Sequence, residues 1–406
     1  MIPFRFLLSL PISFLVALAA DAKTFIVFPF ESRAGDAALE WISEGVALSL
    51  GEGLRHAGLT VVSRAERVRL VEMADLPPAM PLSRASMIRV AQQASADFLV
   101  FGWFSGSAAS LQVSLQVLDL ERMRLGGTIT ANGPLSSLRQ MENDLSWLIL
   151  ANNDLAPGYT REEHQKAVRA VPNPPYALYI ESLTAPDEDT AVAALAKAVA
   201  LYPQFAEAHF LLGRYYFQEG KCTEALAHLA KAPAGAEARF MSGNCHLVKG
   251  QLDEAIGQYR ALFEAMPVVE AGSNLGVACL RKGDYEAAGD YLEKARAMAP
   301  ADATVGLNLA VLRYLEGKLA AALEVIEGSL KEHPSHGMLR YLRGLVLAKM
   351  GRGAESEDAL EVSKRLGVDP EELKRQDPRM WTRVFQAIRP RNDSPVGAAE
   401  STRRPA

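Results

Sequence analysis

The chain contains 406 residues, of which 49% are hydrophobic, and its 48 acidic and 43 basic residues give a formal net charge of −5. This length is enough for two or three domains. Because acidic and basic residues are interspersed, the composition argues against nucleic acid as a partner.

Residues 1–22 have the organisation of a secretory signal peptide. Arg5 precedes an apolar core over residues 6–20, and small residues at Ala20 and Ala22, or at Ala17 and Ala19, offer a cleavage site. The core is shorter than the about 20 apolar residues that a membrane-spanning helix needs. We therefore expect a periplasmic protein, with an uncleaved signal that anchors the chain as the alternative.

Residues 23–150 are predicted to form an α/β (α+β) domain. Apolar and β-branched runs predict strands over 23–30, 59–63, 97–102, 111–120 and 124–131. Helical spacing of apolar residues predicts helices over 36–57, 64–72, 82–94 and 134–152. This order of elements favours helices packed over a mixed sheet.

Four segments of this domain resemble the amino-terminal domain family of TolB, whose shape is shared by CsgG- and FlgO-like envelope proteins. They are FIVFPFESRAGD, EWISEGVALSLGEGLRHAGLTVVSR, ASADFLVFGWFSG and LQVSLQVLDLERMRLGG. The start at Pro29-Phe30-Glu31 and the strand that ends at Gly102 match best. The resemblance implies an envelope protein-interaction module rather than a catalyst. It does not transfer the partners of TolB, because the β-propeller of TolB has no counterpart here.

Residues 151–172 contain the polar stretch TREEHQKAVRA between Pro157-Gly158 and Pro172. We predict a helical linker that packs loosely. A repeated pattern begins after this linker, at residue 173.

Glycine and proline recur together in the second half of the chain, at intervals of about 34 residues, which is typical of stacked two-helix units. One unit, residues 269–300, illustrates the pattern. Gly283 ends a first helix because glycine adopts the left-handed conformation without steric cost, and Asp284 caps a second helix. Small residues at Gly276 and Ala288 allow the two helices to cross closely. The recurring glycines are Gly220, Gly250, Gly283, Gly317 and Gly351, and the prolines are Pro203, Pro233, Pro267, Pro300 and Pro334.

The pattern resembles tetratricopeptide repeats (TPRs), through Leu275-Gly276, Ala288, Ala295 and Pro300 and their equivalents in the next unit. A degenerate first repeat over 173–203 and a last repeat over 344–367 complete an array of about six repeats, residues 173–368. Such repeats are stabilised by stacking on their neighbours. The predicted fold is an α/β TolB-like domain followed by an all-α TPR solenoid.

Residues 369–388 are predicted to cap the array with two short helices, over 370–376 and 379–388. In the second, Trp381, Val384, Phe385 and Ile388 form one apolar stripe. The alternative is a free amphipathic segment that docks on a partner or a membrane. Residues 389–406, rich in proline, arginine and serine, are predicted to be disordered.

The first helices of a TPR array line a concave groove, which is the predicted binding site. Asn274 and Asn308 occupy equivalent positions of successive units. Asparagine can pair through both its amide groups with the backbone of an extended peptide, and the alternative is that these side chains bond to the neighbouring helix. An apolar groove floor is the hypothesis for the phenylalanines, with a core position as its alternative. The predicted peptide-binding residues are Arg214, Asn244, Asn274, Asn308, Phe210 and Phe240.

The sequence contains no constellation typical of catalysis, of a cofactor site or of a metal site. His333 and His336 flank Pro334 in a predicted turn, where they have no shared helical face. Cys245 and Cys279 lie at neighbouring positions of successive first helices, so a disulfide is conceivable, with two buried thiols as the alternative.

We therefore predict a non-enzymatic periplasmic scaffold or adaptor, without a cofactor or a nucleic-acid partner. Its TPR groove binds a peptide or protein segment, and its TolB-like domain docks on an envelope component. The alternative is an assembly or export factor of the CsgG/FlgO type that associates peripherally with the outer membrane.

Overall fold

The structure, a computed structural model, describes residues 23–76, 82–167 and 171–389. The chain divides into two units, one ending at Tyr202 and the other beginning at Pro203. The predicted signal peptide and the predicted disorder beyond residue 389 lie outside the described residues. Within the described ranges, none of the helices combines the length and the apolar character needed to cross a membrane.

A mixed sheet forms the centre of the first unit, as predicted. Its strand order is β3-β1-β4-β5-β6, with β2 also paired to β4 and β7 to β5. β1 is parallel to β3 and β4, whereas β4, β5, β6 and β7 pair in antiparallel fashion. The strands are β1 (Thr24–Val27), β2 (Glu31–Ser32), β3 (Thr60–Val61), β4 (Phe98–Ser107), β5 (Ser110–Asp119), β6 (Arg124–Leu125) and β7 (Ile129–Gly133).

Helices cover both faces of this sheet. Ile26 on one face packs with Leu70 and Val90, which belong to α2 (Arg64–Met73) and α3 (Arg84–Gln93). Since successive strand residues point to opposite faces, Phe25 faces the side on which α1 (Trp41–His56) lies. α1 also packs against α4 (Leu138–Asn152).

The predicted linker contains α5 (Arg161–Ala167), and the prediction that it packs loosely is wrong. The side chain of His164 is fully buried, and its Nε2 lies 2.9 Å from Ser146 Oγ of α4. Its ring lies among those of Trp147 and Tyr159. A hydrogen-bonded imidazole can be buried without a large penalty, so a polar sequence still docks firmly here.

Twelve helices of the described residues form six antiparallel pairs. The first pair belongs to the first unit, where the Tyr176 hydroxyl donates to Gly45 O of α1 over 2.9 Å. The unit boundary therefore falls one helix pair after the predicted start of the array. The pairs are α6 (Asn173–Thr184) and α7 (Glu188–Leu201), α8 (Ala206–Gln218) and α9 (Cys222–Leu229), α10 (Ala236–Val248) and α11 (Leu252–Ala265), α12 (Val269–Lys282) and α13 (Tyr285–Met298), α14 (Ala303–Leu315) and α15 (Leu319–Glu332), and α16 (Gly337–Lys349) and α17 (Gly353–Arg365).

The repeat unit has the local structure that its sequence predicts. Gly283 has a φ of 92°, and the four equivalent glycines between Gly220 and Gly351 also have positive φ. Asp284 caps α13 by accepting a hydrogen bond from Ala287 N over 3.1 Å. At the helix crossing, a Cβ on Gly276 would lie 2.6 Å from Leu292 Cγ, so only glycine fits without a shift.

The segment after the last pair departs from the prediction. α18 (Pro370–Lys374) and a 3-10 helix (Pro378–Trp381) are present, but the helix predicted over 379–388 is wrong, since residues 382–389 are extended and irregular. Leu373 and Trp381 are buried against the core of the array. Within residues 382–389, the backbone groups of Arg383 and Phe385 bond to asparagine side chains instead of to the next turn of a helix.

Candidate peptide-binding groove

Three asparagines form a row along the first helices of successive repeats. Asn244 on α10, Asn274 on α12 and Asn308 on α14 are 2%, 0% and 0% exposed. The row is tied to its surroundings, because Asn274 Nδ2 donates to Asn244 Oδ1 over 3.1 Å and Asn308 Nδ2 donates to Ser273 Oγ over 3.1 Å. The hypothesis that these side chains hold neighbouring helices together therefore describes part of what they do.

The same row binds the backbone of residues 382–389, which we call the tail segment. Arg383 N donates to Asn308 Oδ1 over 2.7 Å, and Asn308 Nδ2 donates back to Arg383 O over 2.8 Å. Asn274 makes the same pair with Phe385, at 2.8 Å and 3.0 Å, and Asn244 Nδ2 also donates to Phe385 O over 3.2 Å.

This geometry resembles the pairing of a β-strand, with side-chain amides in place of a second strand. Asn274 and Asn308 each satisfy both the donor and the acceptor of one residue, and the two bound residues, Phe385 and Arg383, are two positions apart in the chain. Since only backbone groups take part, the pairing holds an extended segment of any sequence that has an N–H at the two bound positions.

Side-chain contacts occur at both ends of the tail segment. Before it, the ring of Trp381 lies 5.7 Å from that of Tyr341 and 6.1 Å from that of Tyr314. At the start of the segment, Arg281 Nε and Nη2 both donate to Thr382 Oγ1 over 3.3 Å.

An acidic pair receives the other end of the tail segment. Arg389 Nε lies 2.6 Å from Glu270 Oε1, and Arg389 Nη1 lies 2.9 Å from Asp302 Oδ2. Burial alone would lower the pKa of Arg389, but its hydrogen bonds to the two carboxylates more than offset this and raise the pKa. The groove thus has an aromatic end and an acidic end, joined by the asparagine row.

The structure places the predicted site residues in two groups. Asn244, Asn274 and Asn308 converge on the tail segment, as described above. Arg214 and Phe210 lie on α8, where the guanidinium carbon is 6.0 Å from the ring centroid. Within the described part of the chain, neither makes a hydrogen bond or ion pair with the tail segment. Phe240 is 1% exposed and packs edge-on against Tyr259, which favours the core position over the groove floor.

Sequence reasoning missed three charged residues that contact the tail, namely Glu270, Arg281 and Asp302. A signal for two of them was present. Glu270 and Arg281 lie four residues before and seven residues after Asn274 on α12, which places all three on one face of that helix. Nothing in the spacing of the repeats indicated that residues 382–389 would occupy the groove.

The residues considered for chemistry have structural partners. His333 Nε2 lies 2.7 Å from Ala301 O, and His336 caps α16 by accepting from Leu339 N. All three cysteines are free thiols, so Cys245 and Cys279 are not joined by a disulfide. Among the described residues, no group of three or more histidine, cysteine, aspartate or glutamate side chains is placed to hold a metal ion.

Comparison with known proteins supports the repeats. Residues 189–238, 227–267, 240–303 and 280–344 match models of the tetratricopeptide repeat. No curated protein matches the chain. Among solved structures, YrrB, described as a TPR protein with an unusual peptide-binding site, is 21% identical over 46% of this chain and 100% of its own, with a TM-score of 0.39. A MamA structure is 19% identical over 42% of this chain and 96% of its own, with a TM-score of 0.37. The family models thus identify the helix pairs over residues 189–344 as similar to tetratricopeptide repeats.

Proposed function

We propose that this protein is a non-enzymatic adaptor of the periplasm, whose TPR groove holds an extended segment of a protein partner. The observation that carries the proposal is the asparagine row, which pairs with both backbone groups of Arg383 and Phe385. Buried amides in this arrangement suit an extended chain and offer little to a small molecule.

The location rests on sequence. The pattern of residues 1–22 is that of a secretory signal peptide, and the resemblance of residues 23–150 to the TolB amino-terminal domain suggests docking on a second envelope component. Mass spectrometry of the mature amino terminus from a periplasmic extract tests this. We expect a start between residues 20 and 23, whereas a full-length cytoplasmic chain would refute the location.

The absence of catalysis is an inference from the groove. Its polar groups are the asparagine amides that pair with backbone, Arg281, which donates to Thr382, and the two carboxylates that form ion pairs with Arg389. A general base or a nucleophile needs a free reacting atom within hydrogen-bond reach of a substrate, and these groups serve as binding contacts instead.

Capture from an envelope extract tests the groove. Asn274→Ala combined with Asn308→Ala removes four hydrogen bonds to the bound backbone and is expected to lose the partner that the wild type retains. The matched control is Asn132→Ala with Asn152→Ala, which changes two exposed asparagines of the first unit. Equal capture by the groove variant and the wild type, with both folded by circular dichroism, would rule out the groove as the binding site.

A further inference from the structure

We infer that residues 381–389 are a built-in occupant of the groove and that the partner segment has the same chemistry. That chemistry is an extended segment preceded by an aromatic residue. It carries apolar side chains three, four and seven positions after the aromatic residue, and an arginine or lysine eight positions after it. The inference rests on the proposed function and names its ligand class and its regulation.

The aromatic end of the groove supplies the first requirement. Trp381 is 4% exposed, its indole Nε1 donates to Leu373 O over 3.4 Å, and the rings of Tyr314 and Tyr341 lie beside it. A large aromatic ring in such a pocket contributes more binding energy than other side chains of an interface. We therefore expect the partner to place an aromatic ring here.

Half-buried apolar side chains follow along the segment. Val384, Phe385 and Ile388 pack against the core of the array, whereas Gln386 and Ala387 between them are exposed. The asparagine row fixes the backbone at Arg383 and Phe385 and leaves the side chains to determine which sequences bind.

The acidic end of the groove supplies the last requirement. The side chain of Glu270 is 6% exposed and that of Asp302 is 14% exposed with Arg389 in place. A carboxylate that is covered by a ligand needs a cationic partner, because an unpaired buried charge is costly. A segment that covers these residues must therefore bring a cation to this position.

Residues 381–389 compete with such a partner from within the same chain. A segment joined to its binding site by a short connection has an effective concentration in the millimolar range. A partner with similar contacts is therefore excluded until it binds better or until the tail segment is released. The tail segment can be released by removing the N–H groups of residues 383 and 385, because the asparagine row binds both of them.

The test uses the full-length chain and a fluorescent synthetic peptide with the sequence of residues 379–389, RMWTRVFQAIR. Arg383→Pro with Phe385→Pro removes the two N–H donors from the tail segment and leaves the groove itself unchanged. We expect this variant to bind the peptide at least tenfold more tightly than the wild type. Gln386→Ala, which alters an exposed side chain of the same segment, is the matched control and should behave as the wild type.

Two further measurements examine the ligand chemistry. Adding Asn274→Ala to the proline variant should abolish the gain in affinity. Glu270→Gln in the proline variant should weaken binding of the peptide about tenfold, but should not change binding of a peptide that carries glutamine in place of its last arginine. Binding that is unaffected by replacing the tryptophan or the last arginine of the peptide would overturn the ligand class.

The outcomes separate the two proposals. Equal, tight peptide binding by wild type and proline variant overturns the built-in occupant, while groove binding itself stands. Binding by neither protein overturns the inference, and capture from the envelope extract then decides the proposed function separately. Light scattering that shows a concentration-dependent dimer, lost in the proline variant, would show that the segment occupies a second copy and would also overturn occupancy within one chain.

Discussion

The asparagine row makes a quantitative prediction about Asn274→Ala. The substitution removes the acceptor of Phe385 N–H, at 2.8 Å, and one donor to Phe385 O, at 3.0 Å. A hydrogen bond contributes roughly 0.5–1.5 kcal/mol net to stability. Loss of both bonds is therefore expected to destabilise the bound tail segment by about 1–3 kcal/mol, which increases its open population roughly 5- to 160-fold.

Hydrogen exchange followed by mass spectrometry measures this opening directly. Peptides that span residues 382–389 should exchange faster in Asn274→Ala by that factor, and Asn308→Ala should have a similar effect centred on Arg383. Exchange within α16, which carries none of the three asparagines, is the internal reference. An unchanged rate over residues 382–389 in both variants would refute the reasoning that the row holds this segment.

Other predictions concern stability and reactivity. Gly276→Ala places a Cβ 2.6 Å from Leu292 Cγ and should cost about 1–3 kcal/mol in urea unfolding. Gly257→Ala, on α11 with open space around it, should instead stabilise by up to about 1 kcal/mol; equal effects would contradict the packing argument. Burial raises the pKa of Glu142 from 4.5 to about 7. The folded state therefore favours the protonated carboxyl. At about 1.4 kcal/mol per pKa unit, the free energy of unfolding falls by about 3 kcal/mol as the pH rises from 4.5 through 7. Unfolding of Glu142→Gln at pH 5 and pH 8 should lack this loss, and identical pH slopes would be evidence against it. Burial also raises the pKa of Cys279 to about 11, so iodoacetamide at pH 8 should label the partly exposed Cys222 first; peptide mapping that finds equal labelling would disagree.

The repeats were predictable because their signals are local. A left-handed residue after a helix favours glycine, and Gly283 provides it with a φ of 92°. A close helix crossing requires a missing side chain, and Gly276 provides that too. Each requirement acts within one unit and recurs in the next. The period of the sequence pattern therefore predicts the stacked helix pairs without knowledge of long-range contacts.

The tail segment was mispredicted because its pattern suits two structures. Trp381, Val384, Phe385 and Ile388 have the i, i+3, i+4, i+7 spacing of an amphipathic helix. The outcome depends on where the backbone finds hydrogen bonds, and Asn274 and Asn308 lie 111 and 75 residues away along the chain. β-branched and aromatic side chains favour an extended backbone, but this weak preference becomes decisive only once the groove exists.

The two hypotheses for the asparagine row are compatible. Asn274 Nδ2 uses one proton for Asn244 Oδ1 and the other for Phe385 O, and Asn308 Nδ2 divides its protons in the same way between Ser273 Oγ and Arg383 O. The bond within the array fixes the orientation of each amide, because an amide has only two N–H donors and one of them is already directed at the neighbouring helix. When the tail segment leaves, the second N–H and the oxygen remain aimed into the groove. Binding then requires little ordering of the protein, and a site that is oriented beforehand binds more tightly than a flexible one with the same contacts. The stacking role is therefore what makes the binding role effective.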